Sequence, residues 1–153
     1  IEEEGYADEI QRAERLLDAY GDRIHLPSDV AVERDGERVE LPLEDLPPGD
    51  GEAAMDLGEA TIADYEERMA DAETVILNGP AGVFEDERFR RGTRGIFEAA
   101  TQVGTSIVGG GDTAAALRTL GIEGFTHVST GGGAALTLLT GENLPAAALL
   151  NED

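Results

Sequence analysis

Between Thr74 and Gly141 the same unit occurs three times: a short apolar run, a glycine-rich turn and a helical stripe. Thr74-Val75-Ile76-Leu77 reads as a buried strand running into Asn78-Gly79-Pro80-Ala81-Gly82. Phe89, Thr93, Ile96, Phe97 and Ala100 then mark one side of a helix. Thr105 to Val108 enters Gly109-Gly110-Gly111-Asp112, and the helix after it carries Ala116, Leu117 and Leu120 before Gly121 stops it. Phe125 to Ser129 enters Thr130-Gly131-Gly132-Gly133, followed by Ala135, Leu138 and Leu139 and a stop at Gly141. Strands alternating with helices over short connections imply an α/β fold with a parallel sheet covered on both faces. Right-handed crossovers bring all three glycine loops to one edge, beyond the carboxyl ends of the strands, where open α/β sheets bind ligands.

The first half is less regular. Ile10, Ala13, Leu17 and Tyr20 form one helical stripe, with Gly21 as its stop. Ile24-His25-Leu26 and Val30-Ala31-Val32 read as one strand interrupted near Pro27. Asp35-Gly36 is a hairpin turn signal, with Arg38 to Leu43 returning as a strand. Leu46 to Gly51 is a loop, and Ile62, Tyr65 and Met69 mark a further helix. Nothing resembling a linker divides the chain, so one domain is expected over its 153 residues.

Charge restricts the partners. Aspartate and glutamate number 33 against 11 basic residues, all arginine, for a net charge of -22. Such a field repels nucleic acid and anionic lipid surfaces. Disorder is the other meaning of strong acidity, but 41% hydrophobic residues in regular patterns argue for a folded core. High salt explains both the carboxylates and the missing lysine, since the Debye length at 1 M is only ~3 Å. No cysteine is present, which excludes disulfides and thiolate sites. His25 and His127 lack metal-site spacing and read as structural. An apolar run of membrane-spanning length and a signal peptide are both missing from the sequence, and a cytoplasmic setting is expected. The start at Ile1 rather than Met suggests a fragment or a processed chain.

Gly109-Gly110-Gly111-Asp112-Thr113 has the makings of a phosphate site: close backbone approach, free N–H groups at a helix start, and a hydroxyl on Thr113. Asp112 either caps the helix or holds Mg²⁺ against phosphate oxygens, and residue type alone leaves these two even. Thr130-Gly131-Gly132-Gly133 is either a second anion site, for a phosphoryl group in transit, or a tight turn, with Ser129 or Thr130 as N-cap. In the third loop Pro80 and Val83 offer apolar surface to a flat ring, and Glu85 offers a carboxylate to ribose hydroxyls. Core packing of Phe84 and solvation of Glu85 are the plain alternatives. No Walker A lysine motif or GxGxxG follows these strands.

The blocks Val75 to Glu85, Ile107 to Ala116 and His127 to Ala134, in that order, resemble phosphoglycerate kinases. Weaker matches are Leu26-Pro27-Ser28-Asp29-Val30, Met55-Asp56-Leu57-Gly58 and Leu144-Pro145-Ala146. The resemblance implies a Rossmann-like parallel sheet flanked by helices, forming the C-terminal part of a nucleotide-binding domain over 1–153, without the N-terminal substrate domain. It implies reversible phosphoryl transfer between ATP and 3-phosphoglycerate with Mg²⁺, by a monomeric, haloarchaeal-like parent. Asn78, Pro80, Val83 and Glu85 would line the adenosine site, Gly110, Gly111 and Thr113 the phosphates, and Asp112 would hold the metal. Gly110, Gly111, Gly132 and Gly133 would serve catalysis, with Gly131 beside them. The family's basic patch, adenine-walling loop and phosphate lysine are missing, so this piece alone is expected to be inactive. The other expectation is a stand-alone, non-catalytic nucleotide-binding module.

Overall fold

The computed structural model describes residues 6–46, 52–142 and 144. It contains five α-helices and six strands among those residues, in two sheets of three strands each. The loop expected after Leu46, the Pro145-Ala146 match and the Leu149-Leu150 ending lie outside the described residues, as does the Leu138 side chain.

Helix α1 (Ala7–Tyr20) stands where the apolar stripe predicts it, but buries none of its residues; Leu16 and Tyr20 are about half exposed. The expected strand at Ile24–Leu26 is not formed. That stretch follows a 3₁₀ turn, and β1 (Asp29–Arg34) begins only beyond Pro27, which has no N–H for a ladder. Asp35 and Gly36 both take positive φ, 53° and 83°, the two-residue turn that suits a twisted hairpin. It returns the chain as β2 (Glu37–Pro42), paired antiparallel with β1. A third strand, β3 (Ala54–Leu57), lies on the other side of β1, giving the order β2-β1-β3. Sequence reading misses β3 because its one buried side chain is an aspartate, Asp56.

Helix α2 (Glu59–Ala70) leads to β4 (Thr74–Asn78), α3 (Arg91–Ala100), β5 (Thr105–Gly109), α4 (Gly111–Leu120), β6 (His127–Ser129) and α5 (Gly132–Leu139). Strands β4, β5 and β6 are parallel neighbours in that order, as the threefold unit requires. The main core joins Met69 of α2, Ile96 and Phe97 of α3, and Leu117 and Leu120 of α4 to Val108 of β5. Each such side chain is worth roughly 1.5–3 kcal/mol on leaving water. Phe125 meets Phe97 edge-on, with ring centroids 6.1 Å apart. The opposite sheet face is only partly covered. Helix α5 lies over it, and Ile76 remains 41% exposed. The last strand is shorter than expected, since Phe125 and Thr126 precede β6. Thr126 instead exchanges hydrogen bonds with Ser106 through both side chains.

Candidate functional site

In-register pairing sets the site. Asn78 pairs with Gly109, and Gly109 with Ser129, so the three strands end level and their loops leave from one edge. Gly110 takes φ 109° and ψ 147°, a conformation closed to side-chain-bearing residues, and turns the chain straight into α4. Its N–H donates to the Ser129 carbonyl at 3.0 Å, tying the second loop to the third. The first α-helical bond of α4 runs from Ala114 N–H to Gly110 O, 3.0 Å, which leaves the N–H groups of Gly111, Asp112 and Thr113 as the helix's open donors. Helix α5 repeats this: Ala135 N–H closes on Gly131 O at 2.9 Å, beyond Gly132, Gly133 and Ala134. Ser129 Oγ accepts from Gly131 N–H at 3.2 Å. Both helix starts open into one cleft of about 290 Å³, lined by Gly110–Thr113, Gly132 and Gly133 together with Asn78 and Gly79.

Glycine is required here for space as well as for φ. A Cβ on Gly132 would stand 2.7 Å from Gly110 Cα and 2.9 Å from Asn78 Oδ1, so the two loops touch backbone to backbone. Gly111 and Gly133 have nothing within 4 Å of a Cβ position and face open space. Thr113 is buried, and its hydroxyl is engaged within the fold: it donates to Gly109 O at 2.7 Å and accepts from Gly79 N–H at 2.8 Å. The hydroxyl expected to reach outward therefore braces the first two loops together. Pro80, Val83 and Glu85 are not among the cleft-lining residues. Val83 and Glu85 are exposed on the adjoining loop, with Val83 N–H bonded to Met55 O at 2.9 Å.

Two helix N-termini give the cleft partial positive charge, and among the described residues Asp112 is the one titratable side chain that lines it. Among the described residues there is no cluster of three or more acidic or histidine side chains able to hold a metal. A lone carboxylate beside open N–H groups suits a Mg²⁺ ion that arrives on phosphate oxygens and keeps its waters. Three residues not singled out by sequence also matter. Gly79, at φ 98°, lines the cleft. Thr93 Oγ1 accepts from Ala81 and Gly82 N–H, both at 3.1 Å, and seats the first loop. Asp56 lies beneath that loop. A Pro-Ala-Gly turn ahead of a buried threonine is a faint signal for the second; the third falls in the weakly matching Met55-to-Gly58 block, which says nothing of its role.

The sequence model of the family described as phosphoglycerate kinase matches residues 1–142. The phosphoglycerate kinase of Halobacterium salinarum is 59% identical over 150 residues, covering 98% of this chain and 38% of that protein. That of Natronomonas pharaonis is 58% identical over 145 residues, covering 94% and 36%. The crystal structure of phosphoglycerate kinase from Pyrococcus horikoshii OT3 superposes with a TM-score of 0.85 at 40% identity, over 96% of this chain and 37% of that one. The chain thus spans a little over a third of the length of the curated relatives it matches.

Proposed function

The chain belongs to the phosphoglycerate kinase family, and from that premise we propose that it forms the nucleotide side of a kinase exchanging a phosphoryl group between ATP and 3-phosphoglycerate. The observation that carries this reading is the convergence of two open helix starts, α4 and α5, on one cleft beside Asp112. In the reaction a carboxylate oxygen of 3-phosphoglycerate attacks the γ-phosphorus of ATP, and the bond to the β–γ bridging oxygen breaks. 1,3-Bisphosphoglycerate and ADP leave.

Each part of the cleft then has a task. The N–H groups of Gly111, Asp112 and Thr113 hold the phosphates of the bound nucleotide. Those of Gly132 and Gly133 face charge spreading over the equatorial oxygens of the moving group, where a preorganised donor typically contributes about 10²–10³ in rate. Asp112 would hold a Mg²⁺ ion bound with the nucleotide, and that ion would supply charge neutralisation. Asn78, which also lines the glycine cleft, provides the nucleoside side together with Pro80, Val83 and Glu85, with Glu85 accepting from ribose. On this reading residues 1–153 are the C-terminal part of the nucleotide domain. A separate N-terminal domain of a monomeric, cytoplasmic parent binds 3-phosphoglycerate. Among the described residues no helix is long and apolar enough to cross a membrane.

Asp112→Ala in the full-length protein should lower kcat by at least ~10²-fold in a coupled assay, in the range of losing an electrostatic stabiliser. Near-parental turnover would remove Asp112 from the mechanism. A second reading, a nucleotide-binding module without catalysis, draws on the fact that both helix starts lie within this chain. Calorimetry of the 153-residue chain with Mg-ADP separates the two, since one-site binding supports the module and none supports dependence on the rest of the kinase.

A further inference from the structure

The loop that carries Val83 and Glu85 rests on a buried ion pair that lies outside the cleft. Asp56 of β3 has a side chain with no exposed surface, and Arg38 of β2 is 8% exposed. Arg38 Nη1 donates to Asp56 Oδ2 at 2.7 Å. The same Oδ2 accepts the Gly92 N–H at 3.0 Å, in the first turn of α3, while Oδ1 accepts the Leu57 N–H at 2.9 Å. Arg38 also donates to Arg88 O at 3.1 Å and to Leu57 O at 2.7 Å. Both ends of the loop are therefore fixed to one pair: Arg88 and Gly92 by hydrogen bonds, and Gly82 by contact. A Cβ on Gly82 or Gly92 would come within 2.3 Å of Asp56 Oδ1, so the loop backbone lies directly on the carboxylate.

A buried ion pair is a poor source of stability, because desolvation offsets most of the attraction and an apolar pair of equal volume packs as well. An apolar pair, though, could neither accept from Gly92 N–H nor donate to Arg88 O. What the charges supply is direction: they fix where the loop backbone stands relative to the sheet edge. Val83 and Glu85 sit between the two attachments with their side chains exposed; Val83 N–H donates to Met55 O and Val83 O accepts from Asp86 N–H at 3.1 Å, Arg90 reaches Glu85 O at 3.5 Å, and Phe84 between them is buried in the core.

We infer that Asp56, held by Arg38, is a positioning residue for nucleotide affinity, setting the place of the Val83–Glu85 segment from beneath. The inference rests on the reading of that segment as the nucleoside side of the site. Asp56 touches no substrate; it acts through the loop.

The test compares three full-length proteins: wild type, Asp56→Asn, and Val32→Ala, which opens a void in the antiparallel sheet away from the loop. Thermal melts record stability, calorimetry records Mg-ADP binding, and a coupled assay records KM for each substrate. Asp56→Asn is expected to weaken Mg-ADP binding by roughly tenfold, as misplacing a positioning group does, and to raise KM for ATP while KM for 3-phosphoglycerate holds. Val32→Ala should lose thermal stability with Mg-ADP affinity unchanged. Wild-type affinity in folded Asp56→Asn overturns the inference, and so does an equal loss in Val32→Ala. If Asp56→Asn does not fold, Arg38→Lys is read by the same criteria. A wild type that binds no Mg-ADP overturns the nucleotide reading itself, a result distinct from binding that is indifferent to Asp56.

Discussion

Two neighbouring glycines at the start of α5 differ in what they permit. Gly132 has Gly110 Cα 2.7 Å from where a Cβ would stand, with Gly110 N and Asn78 Oδ1 both at 2.9 Å. Backbone atoms cannot step aside cheaply, and overpacking of this kind costs about 1–3 kcal/mol. Gly133 meets nothing within 4 Å. Gly132→Ala should therefore lower Tm by several degrees, whereas Gly133→Ala should stay within about 0.5 kcal/mol of wild type. Equal melts for the two variants would mean that α5 does not lie against the second glycine loop as described. Sequence reading groups these glycines as equals, because a run of glycine carries no mark of which one is pressed and which one faces the ligand. The same limit applies at Thr113, whose hydroxyl is legible as a donor to the local Gly109 O but whose other partner, the Gly79 N–H it accepts from, comes from the preceding loop and is known only from the fold.

Among elements, α2 is capped from a distance. Its N-cap is Gly58, which has no side chain to offer. Asp29 of β1 supplies the missing acceptor: its carboxylate takes the N–H groups of Ala60 at 3.1 Å and Thr61 at 2.8 Å, and the Thr61 hydroxyl at 2.5 Å. Partial burial works against the charge. The hydrogen bonds from Thr61 and Ala60, with the nearby Arg38, outweigh it and hold the Asp29 carboxyl below its ordinary value of 3.8. A lowered folded-state pKa means the contribution is whole above the unfolded value and is lost as pH falls through the folded one. Asp29→Asn should thus be destabilised near neutrality, a cap being worth about 0.5–2 kcal/mol. The gap to wild type should close as pH drops below about 4. Urea midpoints measured across that range check it, and a gap constant with pH would exclude a charged cap. The parallel strands, their helices and the single loop edge were all legible, because apolar runs, glycine turns and helical stripes are local signals. Strand β3 and the remote cap were not, because each depends on a partner more than twenty residues away.

For the whole molecule the deciding quantity is the net charge of -22. Arginines 34, 38, 68, 88, 90, 91 and 94 form ion pairs among the described residues. Two of them reach two carboxylates each: Arg38 pairs with Glu40 and Asp56, and Arg88 pairs with Glu33 and Asp86 and holds the Asp86 carboxyl down at about 2. Salt acts on this surface in two opposing ways. It weakens exposed pairs, each worth about 0–1 kcal/mol, and it relieves repulsion among the carboxylates left over. With 33 acidic residues against 11 arginines, most carboxylates have no cation to lose. Relief therefore outweighs loss, and it grows as the Debye length shrinks from ~10 Å at 0.1 M to ~3 Å at 1 M. The sequence resemblance to haloarchaeal relatives, 59% and 58%, runs in the same direction. Helical ellipticity of the chain should rise as KCl is raised from 0.1 M toward ~1 M, and the thermal midpoint should rise with it. The rise should be similar in NaCl, since screening depends on ionic strength and not on a bound cation. An ellipticity already at its ceiling in 0.1 M salt, or a midpoint that falls with KCl, would show that the arginine pairs, not the carboxylate field, govern the stability of this surface.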